Sequence, residues 1–290
     1  MIELTATTRI DDLLDDPAIA GSLVHVRREA ARPPLWADFP PDLEPRLRLA
    51  LEKRGVERLW SHQRAAWDCI QEGHNVVVVT PTASGKTLCY NLPVADALLR
   101  DPEARALYLF PTKALSQDQQ SELNELTLGG DLGFKVFTYD GDTPDSLRVA
   151  ARDTGRIVIT NPDMLHTGVL PNHPKWIRFF AGLRYVVIDE MHAYRGVFGS
   201  HVANVIRRLK RIAAFHGAHP AFILSSATIG NPRELAESLI GENVEAVTEN
   251  GAPRGERVYA FYNPELVDAV QGIRKSTATE SEKLALILLR

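Results

Sequence analysis

Residues 76–87 read VVVVTPTASGKT, and this stretch decides the fold. Four successive valines are typical of a short strand that is buried on both faces, and a helical pattern of apolar residues begins at Leu88. A strand, a loop ending in Gly-Lys-Thr and a helix are the context that the P-loop motif requires. The stretch therefore predicts an α/β domain with a phosphate-binding loop.

The chemistry of this loop indicates a nucleotide and a divalent cation, ATP with Mg²⁺. Backbone N–H groups at a helix N-terminus surround phosphate oxygens, Lys86 reaches the β- and γ-phosphates, and the Thr87 hydroxyl ligates magnesium. Thr80 replaces the first glycine of the general pattern and Ala83 replaces a second residue that is often glycine, so a lysine-capped surface turn is the alternative. The nucleotide-binding residues that we predict in the loop are Thr80, Thr82, Ala83, Ser84, Gly85, Lys86 and Thr87.

Short β-rich runs alternate with longer helical stretches along the rest of the chain. Strands are predicted at 76–80, 106–110, 134–139, 156–160, 185–189, 221–225, 244–247 and 258–262. Most of these runs are continuously apolar, as expected for strands that are covered on both faces. The helical stretches between them are long enough for right-handed crossovers. The pattern predicts an α/β fold with a doubly wound, mostly parallel sheet.

The composition is that of an average globular protein. Of the 290 residues, 44% are apolar and 24% are charged, and 33 basic against 37 acidic residues give a net charge of −4. This balance argues against general attraction to nucleic acid, so any nucleic-acid surface has to be local. No apolar run approaches the roughly 20 residues of a membrane span, and the two cysteines have no CxxC spacing. We expect a cytoplasmic protein with no membrane partner.

A second motif follows the predicted strand at 185–189. Residues 189–192 read Asp-Glu-Met-His and place two carboxylates at the carboxyl edge of the sheet, where the phosphate-binding loop also lies. Asp189 suits ligation of Mg²⁺ between the phosphates, and Glu190 suits the orientation of water as a base. Such a pair alone is usually a solvated turn; the preceding strand and the P-loop favour catalysis. His192 has no second histidine four residues later, which argues against zinc. The predicted catalytic residues are Lys86, Asp189, Glu190 and His192, with Thr87 and Asp189 as magnesium ligands.

In their order and spacing, the motifs resemble those of superfamily 2 DExH-box helicases. They are Gln63, residues 80–87, PTKAL at 111–115, TNPD at 160–163, DEMH at 189–192 and SAT at 226–228. The stretches LWSHQ, TASGKTLCYNLPV and DEMHAYRGVFGSHVANVIRRL are similar to the MrfA/YprA/SftH group of helicases and their RecQ-related fungal relatives. That group is linked to DNA repair. The resemblance covers roughly residues 20–290.

The resemblance implies roles for further residues. Gln63 looks like the glutamine that reads adenine, since its amide can pair with N6 and N7; an exposed helix residue is the alternative. Ser226 and Thr228 look like the motif that couples hydrolysis to domain closure, through hydroxyls facing the acidic motif. The residues that resemble contacts to the nucleic-acid backbone are Pro111, Thr112, Lys113, Gly141, Asp142, Thr160, Asn161 and Asp163. Hydroxyls, backbone N–H groups and a lysine hold phosphates without reading sequence, and each could equally be a helix cap or a turn.

The resemblance also implies an organisation. We expect an N-terminal accessory arm at 1–40, a first RecA-like domain at 41–262, and a linker with the first helix of a second RecA-like domain at 263–290. Such helicases carry an arginine finger in the second domain and a cysteine-rich zinc domain beyond it, and these 290 residues contain neither. Basic clusters at 207–208 and 210–211 are interpreted as solvated helix faces.

The expected function is that of an ATP-dependent DNA helicase or translocase, of which this chain is the ATP-binding domain. It would hydrolyse ATP with Mg²⁺ to drive movement on single-stranded DNA, in a nucleoid-associated location. The choice of DNA over RNA rests on the resemblance alone. The alternative is a nucleotide-regulated nucleic-acid-binding module without turnover. A nucleotide kinase would need an arginine-rich lid, and a GTPase would need an Asn-Lys-x-Asp motif, and the sequence has neither.

Overall fold

The computed structural model describes residues 6–288. The strands are β1 Leu23–Glu29, β2 Trp36–Ala37, β3 Leu59–Trp60, β4 Val76–Val79, β5 Arg105–Leu109, β6 Val136–Thr138, β7 Ile157–Thr160, β8 Leu183–Ile188, β9 Ala221–Ser226, β10 Glu245–Val247, β11 Arg257–Tyr262, β12 Leu266–Asp268 and β13 Ile273–Arg274. The α-helices are α1 Ala6–Leu14, α2 Pro17–Ala20, α3 Pro45–Lys53, α4 Ser61–Gln71, α5 Lys86–Arg100, α6 Lys113–Gly129, α7 Asp145–Thr154, α8 Pro162–Met164, α9 Ile177–Ala181, α10 Gly196–Phe215, α11 Pro232–Ile240 and α12 Thr277–Leu288. Within the described part of the chain, no helix is long and apolar enough to cross a membrane.

The larger of two compact units, Pro34–Ala252, contains a seven-stranded sheet. Its strand order is β10-β4-β9-β8-β5-β7-β6, and every neighbouring pair is parallel. Helices cover both faces. Alternate residues of β4 show this, because Val76 and Val78 join one apolar core with α3 to α6, and Val77 and Val79 join the other with α9 to α11. The predicted doubly wound α/β fold is confirmed.

The sheet order places the motifs in two adjacent groups. The phosphate-binding loop follows β4, the acidic motif follows β8, and the strand between them, β9, ends in Ser225 and Ser226. The motifs that resemble nucleic-acid contacts follow β5, β7 and β6, the three strands on the far side of β8. Since the carboxyl ends of parallel strands lie at one edge of a sheet, all of these loops share one edge.

The smaller unit combines residues up to Pro33 with residues from Pro253 onward. Its boundaries differ from the predicted ones, because β11, which we expected inside the larger domain, pairs antiparallel with β1, with Leu23 opposite Tyr262. Most residues of both strands are exposed, unlike those of the seven-stranded sheet. The Tyr262 hydroxyl donates to the Glu280 carboxylate of α12. β1, which lies in the predicted N-terminal arm at 1–40, thus pairs with a distant strand, and the role of that segment as an arm stays a prediction.

Candidate nucleotide site and nucleic-acid interface

The phosphate-binding loop connects β4 to α5. Two of its residues have left-handed backbone conformations, Ala83 with φ 61° and Gly85 with φ 69°, and Gly85 is the N-cap of α5. The first N–H groups of an α-helix have no partners within the helix. Lys86 Nζ donates to the carbonyl oxygens of Thr80 at 2.9 Å and Pro81 at 3.1 Å. The loop therefore joins helix N–H groups with one ammonium, a set of donors that suits phosphate oxygens.

His62 supports the loop from α4, a contact that sequence reasoning missed. Its Nε2 donates to the Ser84 carbonyl at 2.9 Å, and its Nδ1 accepts from the Gly251 N–H at 3.2 Å. These two bonds assign the ring hydrogen to Nε2. Burial lowers the pKa of His62, so the ring is neutral. Within the loop, the hydroxyls of Thr80 and Ser84 lie 2.5 Å apart. His62 thus holds the loop through its backbone.

Gln63 also contacts the loop and is not the exposed helix residue of the alternative interpretation. Its Oε1 accepts from the Trp60 N–H at 2.9 Å, and its Nε2 donates to the Gly85 carbonyl at 3.0 Å. A Cβ added at Gly85 would lie 2.5 Å from the Trp60 ring and 2.9 Å from Gln63 Nε2. Both side chains therefore lie directly against the loop. Reading of adenine by Gln63 stays a prediction.

Asp189 is buried at the end of β8. Its Oδ2 accepts from the Tyr90 hydroxyl at 3.1 Å, and its Oδ1 accepts from the Glu190 N–H at 2.9 Å and from the Ser225 hydroxyl. Burial raises the pKa of Asp189, while the Glu190 N–H and the Lys86 ammonium act in the opposite direction. The structure therefore brings Lys86 and Asp189, which are distant in sequence, into electrostatic contact.

Tyr90 connects the two predicted magnesium ligands. Its hydroxyl lies 3.1 Å from Asp189 Oδ2 and 2.9 Å from Gln119 Oε1, and it interacts with the Thr87 hydroxyl. Burial raises the pKa of Tyr90, which keeps its proton. Mg²⁺ is usually held by one or two protein oxygens together with substrate phosphates and waters. Thr87 and Asp189 fit that set. Among residues 6–288, no cluster of three or more histidine, cysteine or acidic side chains is placed to hold a metal.

Glu190 and His192 form the remainder of the acidic motif. Glu190 has a left-handed φ of 50° and precedes the 3₁₀ turn Met191–Ala193. His192 Nδ1 lies 3.1 Å from Glu190 Oε2 and 3.3 Å from the Ala227 backbone nitrogen. His192 therefore links the acidic motif to the residues that follow β9. The catalytic roles of Glu190 and His192 stay predictions.

Asp189, the residue after β8, accepts a hydrogen bond from Ser225, which was not one of the predicted coupling residues Ser226 and Thr228. Ser226 Oγ lies 3.5 Å from His192 Nδ1, and Thr228 is exposed. Successive side chains of a strand point to opposite faces of the sheet, so Ser225 and Ser226 lie on different faces, and the predicted 226–228 motif did not include Ser225. Ser225 is thus a contact of Asp189 that sequence reasoning missed, and the doubled serine was its only signal.

The predicted nucleic-acid contacts lie at the ends of β5, β6 and β7. Pro111 and Thr112 connect β5 to α6. Thr112 is the N-cap, and its Oγ1 accepts from the Leu115 N–H at 3.4 Å. The exposed Lys113 forms an ion pair with Asp142, whose hydrogen bond raises the pKa of the lysine. Exposed pairs of this kind contribute little stability and exchange readily with other partners. The structure therefore brings together Lys113 and Asp142, two residues predicted as separate contacts.

The remaining predicted contacts follow β7 and β6. The Thr160 hydroxyl is buried and donates to the Tyr139 carbonyl at 2.6 Å. Asn161 is the N-cap of α8, and its Oδ1 accepts from the Met164 N–H at 2.8 Å. Both side chains therefore form hydrogen bonds within the protein. For Asn161 this is the helix cap that we gave as the alternative. Gly141 and Asp163 are exposed.

Comparison with known proteins identifies the family. Residues 60–236 match the DEAD/DEAH box helicase family. The chain belongs to this family. The match begins just before Gln63 and ends after the 226–228 motif, so it spans the nucleotide site and the three loops beside it. The RecA-like fold inferred from the motifs is therefore confirmed for this helicase domain.

Individual relatives agree with this assignment. The chain is 54% identical over 258 residues to the uncharacterized ATP-dependent helicase YprA of Bacillus subtilis, and 40% identical over 243 residues to the ATP-dependent helicase HRQ1 of Saccharomyces cerevisiae. These matches cover 89% and 80% of this chain but 34% and 22% of the relatives. A crystal structure of the DUF1998 helicase MrfA bound to DNA and AMPPNP matches 98% of this chain and 39% of that chain, with 50% identity and a TM-score of 0.93. The chain thus spans between about a fifth and two fifths of the length of these proteins.

Proposed function

We propose that this chain is the ATP-binding motor domain of a DNA helicase or translocase of the DNA-repair type. The observation that carries the proposal is the sheet order, which sets three nucleotide-site loops beside three loops suited to a nucleic-acid backbone. Relatives named ATP-dependent helicases and a similar helicase bound to DNA and AMPPNP support it. A DNA translocase acts on the nucleoid, so a nucleoid-associated location is part of the proposal.

In this proposal each side chain at the nucleotide site has one task. Bound ATP supplies the phosphoryl group, and Mg²⁺, which Thr87 and Asp189 would hold, would supply positive charge to its phosphates. Lys86 leaves the Thr80 and Pro81 carbonyls and binds phosphate oxygens, and Thr87 and Asp189 ligate the cation. Glu190 accepts a proton from the attacking water and orients it.

The same proposal assigns the coupling and the domains that would complete the motor. His192, between Glu190 and the Ala227 backbone, transmits the state of the nucleotide to the 226–228 segment. Residues 263–288 begin a second RecA-like domain, which supplies an arginine to the nucleotide, and a zinc domain follows it. The single-stranded DNA lies across the loops that follow β5, β6 and β7, held by Lys113 and by backbone groups.

Asp189→Asn tests the magnesium site. We expect the variant to lose most of the difference between ATP binding with Mg²⁺ and ATP binding with EDTA, because the amide is a weaker cation ligand. We also expect it to unfold at a higher temperature than the parent. The pKa of Asp189 is raised in the folded protein, so at neutral pH the buried charge opposes folding, and the neutral amide removes that cost.

Calorimetry and thermal unfolding measure both effects. Asp118→Asn, the same change at an exposed carboxylate of α6, is the control for binding. A variant that kept the full magnesium dependence would remove Asp189 from the cation site.

Lys113→Glu tests the nucleic-acid interface. We expect weak, salt-sensitive and sequence-indifferent binding of single-stranded DNA by the parent, with log affinity falling by about 0.7 per log unit of salt for each phosphate contacted. The reversed charge should weaken binding of every sequence about equally. Fluorescence anisotropy at several salt concentrations measures it.

Lys53→Glu is the matched control, because Lys53 is an exposed lysine in the last turn of α3. Equal effects of the two variants would show only a change in net charge and would contradict the interface. Competition between matched DNA and RNA strands separates the substrates. A clear preference for RNA would overturn the DNA assignment and leave the motor assignment in place.

A further inference from the structure

The longest helix of the larger unit has an unusual charge. The 20 residues of α10 contain no aspartate or glutamate, and its second half carries four cations, Arg207, Arg208, Lys210 and Arg211. The whole chain has a net charge of −4, so this helix is a local concentration of positive charge. None of these four side chains belongs to the nucleotide site or to the loops assigned to the DNA.

Three of these cations have no acidic partner in the described part of the chain. Lys210 forms an ion pair with Glu242. Arg207 bonds to the Asn204 amide oxygen at 2.8 Å, and Arg208 lies 3.4 Å from the His166 ring. Arg211 is exposed, and no carboxylate within residues 6–288 pairs with it. Exposed arginines that surrounding acids do not neutralise attract an anionic partner.

The arginines line two adjoining depressions, which together we name the α10 groove. The first has a volume of about 910 Å³ and is lined by Asp163, Phe198, His201 and the three arginines. The second has a volume of about 530 Å³ and extends to His173 and Phe215, and it shares Arg208 and Arg211 with the first. Pro162 and Asp163, which follow β7 after Asn161, also line the groove.

The lining has the chemistry of a site for nucleic acid. Guanidinium groups bind phosphates, and aromatic faces stack on bases. Phe198 and Phe215 are exposed to 44% and 76% and lie near the two ends of α10, about 26 Å apart along its axis at about 1.5 Å per residue. An acidic peptide would use the arginines but not the aromatic faces. Asp163 is the single carboxylate of the lining, at the entrance.

We propose that the α10 groove binds the sugar-phosphate backbone of a nucleic-acid strand that continues past the 160–163 loop. The inference rests on the proposed function, which assigns that loop to the strand, and Pro162 and Asp163 of the loop line the groove. The sheet edge alone can neutralise only a few phosphates. The groove extends the contact with the strand and adds further phosphate-binding groups.

The test compares oligonucleotides of two lengths. A strand of about 5 nucleotides fills the sheet edge only, whereas one of about 15 also reaches along α10, at about 3.4 Å or more per nucleotide. The variant is Arg208→Gln with Arg211→Gln, and the charge-matched control is Lys53→Gln with Lys135→Gln, two exposed lysines elsewhere on the same unit. Anisotropy is measured with the whole chain at several salt concentrations.

We expect the parent and the control to bind the long strand more tightly than the short one, and the arginine variant to lose that gain. Removal of two phosphate contacts should reduce the salt slope for the long strand by about 1.4. Between 50 and 200 mM salt, the parent would then lose roughly sevenfold more affinity for the long strand than the variant does. Binding of the short strand should be unchanged.

Three results would overturn the inference. They are equal behaviour of the variant and the control, no gain from the longer strand in the parent, and equally effective competition by poly-glutamate of the same charge. Failure of the proposed function has a different signature. If Lys113→Glu leaves binding of the short strand unchanged while the arginine variant still loses the gain, the groove stands and the sheet-edge assignment fails.

Discussion

Lys86→Ala is expected to lower the affinity for ATP by about one to two orders of magnitude. A hydrogen bond that involves a charged group contributes about 1.5–3 kcal/mol, and about 1.4 kcal/mol corresponds to a factor of ten. In the structure the Lys86 ammonium is held by two backbone carbonyls of its own loop, at 2.9 and 3.1 Å. No ion pair described within residues 6–288 holds the ammonium, although the Asp189 carboxylate feels its charge, so the ammonium can bind phosphate. Calorimetric titration of ATP in the presence of Mg²⁺ measures the loss.

Two controls make the result specific. Lys53→Ala removes an equal charge from the last turn of α3, and we expect unchanged ATP affinity. Thermal unfolding of Lys86→Ala shows whether the loop variant remains folded. A folded Lys86→Ala protein that binds ATP as tightly as the parent would contradict the assignment of the loop as a phosphate site.

The sequence was sufficient for the central sheet and for the positions of its loops. Strands buried on both faces are continuous apolar runs, and a run of β-branched residues such as VVVV at 76–79 favours a strand over other secondary structures. The pairing of β1 with β11 was not predictable in the same way. More than 220 residues separate the partners, and their residues are mostly exposed, so no burial pattern marks them as neighbours.

The site shows the same division between local pattern and long-range contact. Lys86, Thr87 and Asp189 were predicted from motifs that can be recognised in a short stretch of sequence. His62, Tyr90 and Ser225 contact the loop or the carboxylate through the packing of α4, α5 and β9, which no short window contains.

Motif membership also gave no information on side-chain direction in the predicted nucleic-acid loops. The hydroxyl of Thr160 points to the neighbouring strand and bonds to the Tyr139 carbonyl. The Asn161 side chain caps α8. For this reason the prediction for DNA binding depends on Lys113, whose side chain is exposed, and not on Thr160 and Asn161.

The 290-residue chain is expected to hydrolyse ATP slowly, even with single-stranded DNA present. In the proposed function, Asp189 binds the cation, Glu190 is the base and Lys86 binds phosphate. None of the ion pairs or hydrogen bonds described within Pro34–Ala252 places an arginine against Lys86 or Asp189. Arginine fingers contribute about 10³ to 10⁵ in rate. A chain extended through the second RecA-like domain, to the length of the YprA-type relatives, should therefore turn over faster by about that factor.

Steady-state phosphate release by the two chains, with and without DNA, measures the difference. Glu190→Gln in each chain shows that the turnover comes from this site, because loss of the base should abolish it. DNA-stimulated turnover by the short chain comparable to that of the long one would contradict the expectation. It would mean that an arginine of this chain stabilises the transition state. Arg195 would then be replaced next, because it is the N-cap of α10 and lies three residues after His192. If Arg195→Ala then abolished turnover in the short chain, the domain would carry its own finger, and closure against a second domain would not be needed for hydrolysis.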